Sequence, residues 1–111
     1  MRRVYIAGPM TGYKDLNHKA FNKVSKRFIK QGWDVVNPAK FDDTYIHILT
    51  ENEGIRWTHY LSRDIVQLAT CEKVFFLRGW EKSYGARVER LVALKLGLNV
   101  EYEGGGAQCL I

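Results

Sequence analysis

The chain alternates between short apolar runs and longer segments in which apolar residues recur with a helical period. The apolar runs are RVYIAG (3–8), WDVVNPA (33–39), KVFFLRG (73–79) and NVEYE (99–103). Runs of this length, bounded by glycine, proline or asparagine, are typical of buried β-strands. The pattern therefore predicts a sheet of four or five strands.

Three segments between these runs predict helices, at residues 16–32, 56–71 and 85–97. Apolar residues fall on one face of the first helix at Ala20, Phe21, Val24, Phe28 and Ile29, and of the second at Tyr60, Leu61, Ile65, Leu68 and Ala69. Gly32 is the expected stop of the first helix. Residues 40–55 have no clear period, which predicts a loop or a short helix.

The alternation of strands and helices decides the fold class. Strands that are separated by helices of this length join through right-handed crossovers into a parallel sheet. We therefore predict an α/β fold, namely a Rossmann-like (flavodoxin-like) parallel sheet with helices on both faces. The length of 111 residues fits one domain, at residues 1–103, followed by a loose tail at 104–111.

The composition indicates the cellular location of the protein more than its activity. No apolar run approaches the ~20 residues of a membrane span, and the amino-terminal apolar run is too short for a signal peptide. Cys71 and Cys109 give neither a disulfide framework nor metal-ligand spacing, so we expect a reducing, cytoplasmic location. The net charge of +5 weakly favours a phosphorylated partner. The sequence has no dense basic stripe with interleaved aromatic residues, so it does not predict a nucleic-acid partner.

Three segments follow predicted strands where ligands bind in an open parallel sheet, beyond the carboxyl ends of the strands. They are AGPMTG (7–12), NPA (37–39) and RGWEKSYGA (78–86). The last segment leads into a predicted helix. The hydroxyl of Ser83 and the backbone N–H groups near Gly85 and Ala86 lie at the amino end of this helix, which predicts an anion site. A simpler interpretation stays open, in which Ser83 only caps the helix and Gly85 serves a tight turn.

Two carboxylates are candidates for chemistry beside this loop. Glu89 lies about one helical turn beyond it, although most helical glutamates are solvated and paired with a nearby arginine. Asp64 lies in LSRDIVQL, where a role at the helix surface also stays open. Two carboxylates that converge near a phosphate site form a glycosyl-transfer arrangement, in which one acts as nucleophile and the other manages protons.

The motifs YIAGPMTG, NPA, RD and LRGWEKSYGARVE, in this order, resemble the nucleoside 2-deoxyribosyltransferase superfamily, and within it a phage and bacterial branch known as a domain of unknown function. The likeness spans about residues 3–102. It implies a Rossmann-like domain that cleaves the N-glycosidic bond of nucleosides or nucleotides. It also implies that Glu89 attacks C1′ of the sugar, that Tyr5 positions Glu89, and that Asp64 handles the nucleobase and its proton. Members of the superfamily form dimers or larger homo-oligomers whose sites borrow residues from a neighbouring subunit.

One departure from the superfamily's transferases changes the expected substrate. The transferases carry an aspartate six residues before the nucleophile, where this chain has Ser83, and a serine there resembles the deoxynucleoside 5′-monophosphate N-glycosidases of the superfamily. A carboxylate ~4 Å from a phosphate would repel it by about 1 to 4 kcal/mol per unit charge, whereas a hydroxyl attracts it. The expected function is hydrolysis of (2′-deoxy)ribonucleoside 5′-monophosphates. A nucleoside 2′-deoxyribosyltransferase and a non-catalytic nucleotide-binding module remain alternatives.

The remaining candidates bind substrate. The loops expected to hold the phosphate contribute Gly8, Pro9, Met10, Thr11, Gly12, Gly79, Ser83, Gly85 and Ala86. The expected rim of the base pocket consists of Trp57, Trp80 and Asn37. The histidines His18, His47 and His59 lack ligand-like spacing, so no metal and no cofactor are predicted. We expect a phage-encoded or bacterial cytoplasmic enzyme with a small nucleotide substrate and no membrane partner.

Overall fold

The computed structural model describes residues 2–41 and 53–105, and a parallel sheet of four strands lies within these ranges. The strands are β1 (Arg3–Ala7), β2 (Asp34–Val36), β3 (Lys73–Phe76) and β4 (Asn99–Tyr102). Their order across the sheet is β2-β1-β3-β4, and every neighbouring pair is parallel. The predicted Rossmann-like α/β fold is confirmed.

Within these two ranges, three α-helices connect and cover the strands: α1 (His18–Lys30), α2 (Glu53–Leu68) and α3 (Tyr84–Lys95). After β2 the chain returns past β1 to form β3, so the direction of winding reverses between β1 and β3. Connections at such a switch point leave the sheet on opposite sides, which opens a crevice beyond the carboxyl ends of the two central strands. The fold therefore places any ligand site next to the ends of β1 and β3.

Two hydrophobic layers cover the two faces of the sheet, because successive strand residues point to opposite sides. The layer beneath α1 consists of Val4, Ile6, Phe75 and Leu77 with Phe21, Val24, Phe28 and Trp33. The layer beneath α2 and α3 includes Tyr5, Ala7, Val74 and Phe76 with Leu68, Ala86 and Ala93. Tyr5 is thereby turned toward α2 and α3, and its hydroxyl needs a partner in the core.

The ends of the helices differ from the prediction by a few residues. Ile29 is 58% exposed, because the buried stripe of α1 is centred on Phe28 and the next residue turns toward solvent. Ala69 is exposed because α2 ends at Leu68, and α2 begins at Glu53 rather than at residue 56. Gly32 follows α1 with φ of +90°, as expected of a helix-terminating glycine. Most of the predicted loop, at 42–52, and the tail from 106 onward lie outside the described residues.

In the described part of the chain, no helix has the length and apolar character that crossing a membrane would require.

Candidate active site

The site centres on a buried contact between a tyrosine and a glutamate. The hydroxyl of Tyr5 donates a hydrogen bond to Oε2 of Glu89 at 2.5 Å. Tyr5 lies in the middle of β1, and Glu89 lies on the inner face of α3 together with Ala86 and Ala93. Both side chains are buried, Tyr5 completely and Glu89 to within 5%. The sheet and the helix therefore fix a carboxyl group in the core against a phenol.

Burial changes the acidity of both groups. Loss of solvent raises the pKa of Glu89 from its ordinary 4.5 to about 8, although the hydrogen bond from Tyr5 works in the opposite direction. Burial and the neighbouring carboxylates raise the pKa of Tyr5 well above its usual range. At neutral pH the resting protein therefore holds a proton on Glu89 and a neutral phenol at Tyr5. A carboxyl group with a pKa close to neutrality is suited to catalysis.

A second carboxylate reaches the same place from α2. Asp64 lines the cavity that Tyr5 and Glu89 also line, and its charge raises the pKa of Glu89. Its Oδ1 accepts hydrogen bonds from Nε and Nη2 of Arg63, at 3.1 and 3.0 Å. The structure thus brings together the three residues that the sequence singled out for chemistry, one each from β1, α2 and α3.

The cavity between these groups is small, about 30 Å³ in volume. Besides the three polar residues, it is lined by Ile6, Ala7, Gly8, Met10, Phe21 and Pro38. This volume is about that of one water molecule in the liquid, so it accommodates the reacting atoms and not a nucleotide. A much larger depression of about 530 Å³ lies near the amino ends of the strands, lined by Arg2, Trp33 and Lys73 among others. That depression is lined by none of Tyr5, Asp64 and Glu89. The candidate site is therefore the smaller cavity, which all three residues line.

The loop after β1 forms one wall of the cavity. Gly8 is required there, because a Cβ atom at this position would lie 2.8 Å from Cβ of Leu77. The N–H of Tyr13 donates to the carbonyl of Met10 at 3.1 Å, and Gly12 closes this turn with φ of +86°. Gly8 and Met10 line the cavity, and Pro9 is buried. Thr11 and Gly12 are exposed and do not line it.

The predicted anion loop forms the amino end of α3. Ser83 is the N-cap, and its Oγ accepts the N–H of Ala86 at 3.2 Å. This cap uses the N–H of Ala86, which was predicted to face a phosphate, and the residue is buried. The amides of Tyr84 and Gly85, in the first turn, have no intrahelical partner. The donors that remain at this helix end are these two amides and the Ser83 hydroxyl.

Gly79 connects the two loops rather than facing the cavity. It lies just before a short 3₁₀ turn, Trp80–Lys82, with φ of +87°. A Cβ atom there would lie 2.7 Å from the hydroxyl of Tyr13, so the loop after β3 packs closely against the loop after β1. Gly79 therefore has a packing role in this structure.

The residues predicted at the rim of a base pocket are in three different environments. Trp80 is only 5% exposed, with its ring 5.3 Å from that of Phe76 and 5.5 Å from that of Tyr102, so it packs in the core of this chain. Asn37 is also buried, and its side chain accepts the N–H of Ala39 and donates to Asn22, which makes it a structural cap. Trp57 is 42% exposed at the surface.

Two residues next to the site lie within the quoted motifs RD and LRGWEKSYGARVE but were given no role from the sequence. Tyr84 follows Ser83, and its ring lies 5.5 Å from that of Trp57, so an exposed aromatic pair joins the amino-terminal parts of α2 and α3. Arg63 precedes Asp64 and contacts its carboxylate. The available signal was adjacency in sequence to a candidate residue, which does not predict contact, because neighbouring helical residues project in different directions.

The described ranges contain no group of three His, Cys, Asp or Glu side chains that could hold a metal ion. Cys71 is a free, buried thiol whose pKa is raised by burial. His47 and Cys109 lie outside the described residues.

The fold and the site together define a Rossmann-like α/β domain with a buried tyrosine–carboxyl pair at its switch point. A family model described as "Domain of unknown function (DUF4406)" matches residues 2–102. The chain therefore belongs to this DUF4406 family. A search of curated proteins finds no match.

Proposed function

We propose that this protein is an N-glycosidase that hydrolyses the base–sugar bond of (2′-deoxy)ribonucleoside 5′-monophosphates. The observation that carries the proposal is the buried Tyr5–Glu89 pair beside Asp64. A carboxyl group without solvent destabilises the fold when it ionises, and a second carboxylate nearby increases that effect. Such an arrangement is expected where chemistry requires it, and less so in a module that only binds nucleotides.

The proposed reaction uses the proton that the resting site holds on Glu89. As substrate binds, this proton passes to Asp64, directly or through one water molecule in the cavity between them. Ionised Glu89 then attacks C1′ and forms an ester bond, while the C1′–N bond breaks and its electron pair goes to the base. The leaving nitrogen takes the proton from Asp64. Tyr5 orients the nucleophile by donating its hydrogen bond to Oε2.

The second half of the reaction regenerates the site. A water molecule attacks C1′ of the glycosyl ester, and Asp64 takes the proton that the water loses. The ester bond breaks, and its electron pair returns to the Glu89 carboxylate. The proton then passes back from Asp64 to Glu89. The net result is one water consumed, one free base released and one sugar phosphate released.

The amino end of α3 supports the choice of a phosphorylated substrate. The Ser83 hydroxyl and the amides of Tyr84 and Gly85 are uncharged donors at a helix end, where the helix dipole favours an anion. The net charge of +5 is compatible with an anionic ligand. Because a cavity of about 30 Å³ cannot enclose a nucleotide, we also propose a homodimer or larger homo-oligomer in which a neighbouring subunit closes the site.

The test is a screen of nucleoside 5′-monophosphates and their nucleosides for free base, separated by chromatography. We expect base release from the monophosphates by the wild-type protein and none by Glu89→Gln, which keeps the shape and the hydrogen bond but cannot attack. A second, labelled base in the same reactions distinguishes the transferase, which would incorporate it into a new nucleoside. Tight nucleotide binding without base release would instead support a binding module.

A further inference from the structure

The side chain of Arg63 is held in an orientation that its place in the helix does not explain. Arg63 and Asp64 are consecutive residues of α2, and consecutive helical side chains do not face each other. Nevertheless, Nε and Nη2 of Arg63 both donate to Oδ1 of Asp64. The guanidinium also lies 4.6 Å from the ring centre of Phe41 and 5.3 Å from that of Tyr60. Contacts with two aromatic rings and a carboxylate thus fix a side chain that is normally mobile.

The charge of Arg63 reaches the centre of the site. It lowers the pKa of both Tyr5 and Glu89, opposing the effect of burial. The groups that act on Glu89 are Tyr5 from β1 and Asp64 and Arg63 from α2. Within the described ranges, Arg63 is the cation among them. Two carboxylates share a cavity of about 30 Å³, so a second negative charge there needs a positive charge close by.

We propose that Arg63 is a positioning residue for the reaction: it holds the Asp64 side chain toward the cavity, where Asp64 can take the proton of Glu89, and it supplies a positive charge beside the two carboxyl groups. The inference rests on the proposed function for its catalytic consequence. Its electrostatic part concerns the resting protein and does not require turnover. A lysine would supply the charge, but it lacks the planar pair of N–H groups that Arg63 directs at a single oxygen.

The first arm of the test measures the charge state of Glu89 without substrate. The Glu89 carboxyl is followed through a pH titration by ¹³C NMR in the wild type, in Arg63→Gln and in Arg87→Gln. Arg87 is the matched control, because it is an exposed arginine of α3 only two residues from Glu89. We expect the midpoint to rise by about one pH unit in Arg63→Gln and to stay unchanged in Arg87→Gln. Equal midpoints in all three proteins would overturn the electrostatic role.

The second arm measures base release from a nucleoside monophosphate against pH. We expect Arg63→Gln to lower kcat by about 10- to 100-fold at pH 7, with little change in KM, and to move the falling limb of kcat/KM, where Glu89 loses its proton, to higher pH. In Arg63→Lys, this limb of kcat/KM should return to its wild-type pH, but only part of the wild-type kcat should return. A loss that simply follows a lowered unfolding temperature, with the wild-type pH profile, would mean a structural role and overturn the proposal. If the wild type releases no base, the proposed function fails, and the titration still decides whether Arg63 acts on Glu89.

Discussion

Tyr5 and Glu89, which are 84 positions apart in the chain, share a hydrogen bond that joins the middle of β1 to the inner face of α3. Tyr5 belongs to the hydrophobic layer beneath α2 and α3, and Glu89 is buried beside it, with Asp64 lining the same cavity. The contact therefore ties the acidity of Glu89 to the packing of α3 on the sheet. We therefore expect both the free energy of unfolding and the rate of base release to depend on pH through the Glu89 carboxyl group.

Glu89→Gln should stabilise the protein, and the gain should depend on pH. The pKa of Glu89 is about 8 in the folded protein and is ordinarily 4.5, so between these values the folded state keeps a proton that the unfolded chain releases. The free energy of unfolding of the wild type should therefore fall as pH rises from about 4.5 to 8, and level off above. The glutamine does not titrate and still accepts the hydrogen bond from Tyr5.

Urea unfolding at pH 5, 7 and 9 measures this difference. We expect the two proteins to be nearly equal at pH 5, and Glu89→Gln to be more stable at pH 9, on the order of a few kcal/mol. The surface control is Glu101→Gln. It removes a carboxylate that pairs with Lys73 and is about half exposed. That variant should show no such increase between pH 5 and 9. A pH-independent difference for Glu89→Gln would contradict the raised pKa.

Tyr5→Phe should shift the activity of the site to higher pH. The hydrogen bond from Tyr5 lowers the pKa of Glu89, so its loss makes the carboxyl group harder to ionise. Because the reaction needs the proton that Glu89 holds, we expect kcat/KM of the wild type to fall above about pH 8. In Tyr5→Phe this falling limb should move to higher pH, and kcat/KM at pH 7 should fall by about 10- to 100-fold because Glu89 gives up its proton less readily.

Tyr102→Phe is the matched control for this change. It also removes a phenol hydroxyl, one that accepts the Nε–H of Arg90 at 2.8 Å, but it does not touch Glu89. It should lower stability slightly and leave the pH profile unchanged. If both variants had the same profile, the hydroxyl of Tyr5 would have no specific role.

Gly8→Ala should destabilise the fold and distort the wall of the cavity. The added methyl group would lie 2.8 Å from Cβ of Leu77, which is buried and cannot move away without disturbing the layer beneath α1. Overpacking of this kind costs about 1 to 3 kcal/mol. At Gly85, in the first turn of α3, a methyl group would meet nothing within 4 Å. Gly85→Ala should therefore be neutral or stabilise by up to about 1 kcal/mol.

Thermal unfolding of the two variants checks this contrast. Gly8→Ala should also lose base release beyond the loss of folded protein, because Gly8 lines the cavity. Similar unfolding temperatures for Gly8→Ala and the wild type would mean that the loop after β1 adjusts easily and does not shape the site.

The sequence predicted the sheet and its helices well, because these depend on periodic patterns. It also predicted that Glu89, Asp64 and Tyr5 belong together, but from a resemblance rather than from spacing. Contacts that depend on side-chain direction were not predictable. Nothing in the pattern distinguishes Trp80 beneath α3 from Trp57 at the surface, or the Ala86 amide used by a cap from one open to a ligand. The burial of Trp80 and the use of the Ala86 amide both depend on how the 3₁₀ turn at Trp80–Lys82 leads into α3.

Ser83→Asp tests whether the amino end of α3 holds a phosphate. The observed cap, from the N–H of Ala86 to Oγ of Ser83, would be kept, since aspartate caps helices about as well as serine. The new carboxylate would repel a phosphate at the same helix end and remove one hydrogen bond, together about 2 to 4 kcal/mol. We therefore expect kcat/KM for a deoxynucleoside monophosphate to fall by about 30- to 1000-fold, with unchanged stability.

Ser83→Asn separates charge from shape in this experiment, because asparagine has the size of aspartate, caps equally well and carries no charge. Unphosphorylated nucleosides feel no repulsion from Ser83→Asp, and their 5′-hydroxyl gains an acceptor, so their turnover should hold or rise. The measured quantity is the ratio of kcat/KM for a monophosphate to that for its nucleoside, in the wild type and both variants. The ratio should collapse in Ser83→Asp and change much less in Ser83→Asn. An equal ratio in all three proteins would show that Ser83 is a helix cap alone and that the phosphate binds elsewhere.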